Sequence, residues 1–299
     1  MTRLFLTLIV FLLGVGATAP ALAQAPRTVQ ITPREIPQGR TALIRLPAFF
    51  DDTRAAANFA GTQFPLYRSA DGEWVGFLAV EMDAERGEVP LEVLVWRGDE
   101  LLPPLMVPVS VVWGGFLYQD VVLPYTQTDL LDPVLNNQET ATLLRVYSRQ
   151  TPEKYWEGAF GPSVPGVMIS EFGGIRTYNN GVLTGRHTGI DFRAITGEPV
   201  RAAGHGRVVF TSRLPIRGNH VVIDHGWGVL TGYSHLSEIN VVPGQRVLAG
   251  DVIGAAGATG RVQGSHLHLE VAVNGVWVDA MQFMSLSVPE APLIFAGGR

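Results

Sequence analysis

Short apolar runs broken by turns dominate the first third of the chain beyond its N-terminal leader. Runs at 41–46, 74–80, 89–96 and 105–113 are rich in Val, Leu, Ile and aromatic residues and read as strands. Asp71-Gly72 is a hairpin signal between two runs, and Gly98-Asp99 marks a second turn. The pattern predicts a small β-sandwich over 24–115. Over 116–160 the pattern changes. Ala141, Leu144 and Tyr147 recur at helical spacing within 137–149, and Thr128-Asp129 offers a helix start, so a connecting segment with one or two short helices is expected. Gly161, Pro162, Pro165 and Gly166 mark the next boundary. Strand-like runs then return at 207–211, 220–224, 229–233, 246–248 and 266–273, punctuated by glycine turns and without a long helix. They predict an antiparallel β domain over 161–285, with a tail at 286–299. The expected fold class is mainly β.

Residues 1–23 form a separate element. Arg3 precedes an apolar run from 4 to 16 interrupted by Thr7, and Ala21-Leu22-Ala23 has the form of an export cleavage site. The run is shorter than the roughly 20 residues of a membrane span. The expected mature chain begins near Gln24, in the periplasm or outside the cell, with no stable membrane span. The 299 residues carry 22 Lys+Arg against 27 Asp+Glu, a net charge of -5, which gives no basic field for nucleic acid. Cysteine is absent, which excludes disulfides, a thiol nucleophile, a thiolate metal site and a lipid-anchored N-terminal cysteine. A bound metal must therefore use His, Asp or Glu.

All seven histidines fall between 187 and 268. In a strand, His266 and His268 point to one face and Leu267 and Leu269 to the other. His187 and Asp191, with Gly189 between them, can reach one ion if the chain bends, and glycine gives that freedom. His187, Asp191 and one histidine of the His266-Leu267-His268 pair make three N/O donors, the number of protein ligands at a catalytic zinc with an open position. The other histidine of the pair and His235 are left for proton transfer.

The ordered motifs His187-Thr188-Gly189-Ile190-Asp191, Tyr233-Ser234-His235-Leu236 and Gly264-Ser265-His266-Leu267-His268 resemble the LytM/lysostaphin-type zinc metallopeptidases. Ser170-Glu171-Phe172-Gly173, Gly218-Asn219-His220-Val221 and Thr259-Gly260-Arg261 extend the resemblance over about 165–285. It implies a duplicated hybrid motif fold and one zinc ion held by His187, Asp191 and His268, with His235 and His266 as catalytic histidines. It further implies hydrolysis of peptide cross-links in bacterial peptidoglycan, either oligoglycine or D-alanyl–diaminopimelyl bonds. Ile175 departs from the family pattern, where a second arginine often precedes Arg176. The stretch Asn179-Asn180-Gly181 also runs one residue long. Both bear on substrate preference rather than on the chemistry.

Arg176 is a candidate for a substrate carboxylate, because guanidinium binds carboxylates bidentately, and Asn219 is a second candidate for substrate binding. Glu270 shares the strand face of His268 and is a candidate partner to that imidazole. His205, His220 and His225 are expected to be structural or solvent-facing. A non-catalytic wall-binding regulator and a secreted zinc protease acting on foreign proteins are the alternative readings. The N-terminal domain is a candidate cover for the groove. The residues name neither a regulatory protein partner nor an oligomeric state.

Overall fold

The computed structural model describes residues 27–290. The expected export segment at 1–23 and residues 291–299 of the tail lie outside the described residues.

The N-terminal strands form one sheet path, in the order Gln30–Thr32, Thr41–Pro47, Glu73–Ala79, Thr62–Arg68, Arg54–Phe59, Gly87–Arg97, Leu105–Val112 and Glu35–Pro37. The two halves of this path close on a shared core. Ile44, Leu46, Trp74 and Leu78 from one half meet Ala55, Ala57, Leu91, Val93 and Val109 from the other. Thr62–Arg68 belongs to both halves, pairing first with Arg54–Phe59 and then, at Tyr67 and Arg68, with Glu73–Ala79. The Asp71-Gly72 turn connects it to the latter strand, with Gly72 in the left-handed region at φ 75°.

Glu73–Ala79 lacks polar alternation because both of its faces are covered. Trp74 and Leu78 enter the sandwich core. Val75 and Phe77, with Leu43 and Tyr67, pack instead on Trp156, Trp227, Val271, Val273 and Phe283. Tyr67 stacks on Trp227 with ring centroids 5.3 Å apart. The N-terminal sheet is thus joined to the following domain through an apolar layer.

The second large sheet runs Met168–Ser170, Ile190–Arg193, His266–Val273, Val229–Leu236, Gly218–Gly226, Gly206–Leu214 and Arg246–Val247, with antiparallel neighbours throughout. Val276–Val278 pairs with His266–Val273 to one side of this path. Leu267, Leu269, Tyr233, Val221 and Ile223 point into a core on one face. On the opposite face, Val222, Leu230 and Ala272 lie against a helix, and the charged and histidine side chains continue beyond them.

The connecting segment holds more structure than its sequence predicts. Tyr118–Val121 pairs in parallel with Ile175–Tyr178. A 3-10 turn at Tyr125–Leu131 follows, then helix α1 at Pro133–Tyr147. The helix start is Asp132, whose carboxylate accepts the Val134 N–H at 2.8 Å, with Pro133 as first helical residue. Thr128 and Asp129 sit inside the preceding turn rather than at a cap. The buried stripe also differs from expectation. Glu139, Leu143 and Tyr147 face the sheet, while Ala141 and Leu144 are exposed. An apolar count misses that face because a glutamate occupies it.

Candidate metal centre

Strand pairing assembles the centre. Asp191 lies directly across from His268 on adjacent strands, and Ser234 flanks His268 from the other side. His266 and His268 share a face by simple alternation. His187 stands between the strands Leu183–Arg186 and Ile190–Arg193, where the chain changes direction. Gly189 is needed for a different reason from the expected one. Its φ is not positive, but a Cβ there would lie 2.4 Å from the Leu269 carbonyl oxygen and 2.8 Å from the His268 ring. Glycine permits the close approach of His268 rather than the bend.

Three donor atoms converge. His187 Nε2 is 3.0 Å from Asp191 Oδ1 and 3.0 Å from His268 Nδ1, and the last two are 2.8 Å apart. Among the described residues this is the one group of three such donors with metal-binding spacing. Hydrogen bonds fix which ring atoms face the centre. His187 Nδ1 donates to the Glu171 carbonyl at 2.6 Å, leaving Nε2 bare. His268 is turned the other way. Its Nε2 faces the Glu270 carboxylate at 3.5 Å, leaving Nδ1 for the centre. Burial pushes the His187 imidazole down to about 4, so it is neutral at physiological pH. Burial raises the Asp191 carboxyl, but His187 and His268 outweigh it and hold the group well below the usual carboxylate range. Burial lowers His268, and its bonds to Asp191 and Glu270 more than reverse this. Three lone-pair donors 2.8–3.0 Å apart repel one another unless a cation or proton sits among them. The donor set and its partners therefore fit a divalent ion with N/O ligands.

His235 reaches the centre through a bulge. The pairing of Gly218–Gly226 with Val229–Leu236 shifts register between Asn219 and Val221. Strict alternation from Tyr233, a core residue, would send His235 into the core as well. Instead His235 adopts φ 62° and is re-aimed, with its ring centroid 4.8 Å from His266 and 5.8 Å from His268. His235 Nδ1 donates to the Thr259 carbonyl at 2.8 Å, and His266 Nδ1 donates to the Gly264 carbonyl at 2.8 Å. Both rings are left with a bare Nε2, and that of His266 lies 3.6 Å from Asp191 Oδ1. Burial lowers both imidazoles, and His266 and His268 add to the effect at His235, which lies well below its ordinary value.

The two substrate-binding candidates are engaged within the protein. Arg176 donates to Asp191 Oδ2 at 2.6 Å, to Ser170 Oγ at 2.8 Å and to Gln119 Oε1 at 3.1 Å. Asn219 Nδ2 donates to the Leu236 carbonyl at 3.0 Å and to the Ser237 carbonyl at 3.3 Å, clamping the chain just beyond His235. His220 and His225 are buried on either side of this region, and His205 Nδ1 accepts the Ala249 N–H. Sequence reasoning named Glu270 but missed the residues that hold it, Thr188, Arg217 and Tyr147.

Fold and donors together define an antiparallel β domain with a three-donor metal centre on one sheet face. Residues 185–280, which contain all three donors and both further histidines, match the model of peptidase family M23. Over 107 residues the chain is 49% identical to the peptidoglycan DD-endopeptidase ShyA of Vibrio cholerae, covering 35% of this chain and 25% of that protein. Over 104 residues it is 45% identical to the DD-carboxypeptidase/endopeptidase Mpg of Neisseria meningitidis, covering 35% and 24%. The chain thus spans about a quarter of the length of these relatives. A crystal structure of a putative peptidase M23 from Pseudomonas aeruginosa matches with TM-score 0.62 at 24% identity, over 84% of this chain and 95% of that one. That match extends the likeness in fold into the N-terminal sheet and agrees with the mainly β reading. No helix among the described residues is long and apolar enough to cross a membrane.

Proposed function

We propose that the chain is an exported zinc-dependent endopeptidase that hydrolyses peptide cross-links of bacterial peptidoglycan, in the periplasm or outside the cell. One observation carries the reading. The donors His187 Nε2, Asp191 Oδ1 and His268 Nδ1 converge beside two histidines whose free Nε2 atoms are held toward them by backbone carbonyls. His187, Asp191 and His268 are the ligands for one zinc ion. A zinc ion there supplies Lewis-acid polarisation of the scissile carbonyl and makes water a stronger acid. His266 is the nearer base, since its Nε2 stands 3.6 Å from Asp191 Oδ1 and its tautomer leaves that atom a proton acceptor. His235 is neutral with Nε2 bare, so it accepts a proton before it can donate one to the leaving amine or the carbonyl oxygen. Arg176 holds the outer oxygen of Asp191 and keeps the inner one aimed at the centre.

The names of the relatives support a cross-link between D-amino acids as the bond cut. The test is mass spectrometry of peptides released from purified sacculi, with and without a chelator. Chelator-sensitive release of peptides cut at D-alanyl cross-links is expected. No release by a metal-loaded sample, or equal cleavage of casein, would overturn the assignment.

A further inference from the structure

The carboxylate that faces His268 is itself held by a helix outside the family domain. Glu270 is fully buried, and its Oε1 accepts from Thr188 Oγ1 at 2.6 Å and from Arg217 Nη2 at 2.6 Å. Its Oε2 accepts from the Tyr147 hydroxyl at 2.8 Å. Arg217 Nε lies 3.1 Å from both oxygens. The guanidinium is held in turn by Glu139, whose Oε1 accepts from Arg217 Nη1 at 3.2 Å and from the Arg217 N–H at 3.1 Å. Glu139 Oε2 accepts the Ile216 N–H at 2.7 Å. Glu139 and Tyr147 are the polar members of the buried stripe of α1, residues 133–147, and neither falls within 185–280.

The sheet is cut to receive this helix. A Cβ on Gly232, in the strand beside His268, would lie 1.9 Å from the Tyr147 hydroxyl and 3.1 Å from Glu270 Oε2. Glycine at that position is what lets the phenol reach the carboxylate. The buried group of two carboxylates and one guanidinium carries one net negative charge, presented to the Nε2 edge of His268. An imidazole that binds a cation through one nitrogen becomes more positive at its other N–H, so this charge favours the bound form.

We propose that Glu139 and Tyr147 of helix α1 are positioning residues of the metal centre, acting through Arg217 and Glu270 to fix the tautomer and orientation of His268. The inference rests on the zinc reading, since His268 must be a ligand. It predicts that the helix and the family domain form one functional unit.

The experiment uses the full chain loaded with zinc, and with cobalt as a spectroscopic substitute. Tyr147→Phe removes one oxygen from a site that keeps its shape, and Glu139→Gln removes one charge. Leu143→Ala, on the same buried stripe but apolar, is the control for mere loss of packing. Tyr147→Phe and Glu139→Gln are expected to weaken metal affinity about 10-fold or more in chelator competition and to alter the cobalt absorption bands. Leu143→Ala is expected to lower Tm while leaving affinity and bands as in the wild type. Wild-type affinity and bands in both polar variants would overturn the proposal, and so would a control that matches them in lost affinity. These readouts need no peptidoglycan. A wild-type chain that binds neither metal overturns the zinc reading and this proposal together, whereas wild-type binding with unaffected variants overturns this one alone.

Discussion

The ring centroids of His235 and His266 lie 4.8 Å apart, although His235 follows a core residue by two positions and alternation would bury it on the far side of the sheet. The bulge in Val229–Leu236, opposite Asn219–Val221, and the left-handed backbone of His235 bring the pair together. Asn219, which binds the carbonyls of Leu236 and Ser237, holds that bulge closed. His235→Ala is expected to retain bound metal and to lower the rate on sacculi by about 10²–10³, the usual cost of removing one group that stabilises developing charge. Metal content and initial rate, measured on one preparation, check it. Full turnover would remove His235 from the chemistry.

Substitution within the donor set is expected to act differently. His187→Ala and His268→Ala should lose both metal and activity, because two remaining donors no longer surround the ion. A chelator should abolish wild-type activity and added zinc restore it. Retention of stoichiometric metal by either variant would mean that the ion binds elsewhere.

Arg176 separates a support role from a substrate role. Its Nη2 donates to Asp191 Oδ2 at 2.6 Å, so Arg176→Ala is expected to weaken metal affinity about 10-fold or more. A residue that only bound the substrate carboxylate would raise KM and leave affinity unchanged. Chelator competition beside steady-state kinetics distinguishes the two.

Residues 118–131 tie together the two flanks of the centre. Tyr118–Val121 pairs with Ile175–Tyr178 on one side. On the other, the Gln127 amide accepts the Val262 N–H at 3.0 Å and donates to the Val262 carbonyl at 2.9 Å, and Gln263 donates to the Val122 carbonyl. The side chains of the three donor residues are 8% exposed or less, and loosening this segment is expected to widen the approach of a peptide chain to them. Gln127→Ala, which breaks both bonds to Val262, is expected to speed release from sacculi several-fold at unchanged metal content. A rate equal to or below wild type would contradict this. A chain starting near residue 161 is a poorer test of a cover, because it also removes α1.

Acid should destabilise the protein, and His225 is one source. Its Nδ1 donates to the His205 carbonyl, its Nε2 lies 2.8 Å from Thr231 Oγ1, and burial pushes it down to about 4. The unfolded chain protonates near 6.5, so below that pH it binds a proton that the folded chain refuses. Stability is then full above about 6.5 and declines as pH falls toward about 4, by on the order of 3 kcal/mol for this group. His225→Gln should lose less stability than the wild type between pH 7 and pH 5 in urea unfolding. Equal losses would assign the acid sensitivity to other groups.

Much of this protein was legible along the chain. Alternation alone put His266 and His268 on one face, and the absence of cysteine restricted metal donors to His, Asp and Glu. The ordered motifs from His187 to His268 marked the stretch that matches the family model, because nearby residues on strands keep fixed relative directions. Tertiary structure decided what local periodicity cannot encode. The buried face of α1 was hidden because Glu139 is charged, and it is buried only because Arg217, far along the chain, meets it there. Glycine at 232 and 189 answers to a phenol and an imidazole that arrive from other segments. The direction of His235 depends on a register shift between two strands, and a register is a property of the pair rather than of either sequence.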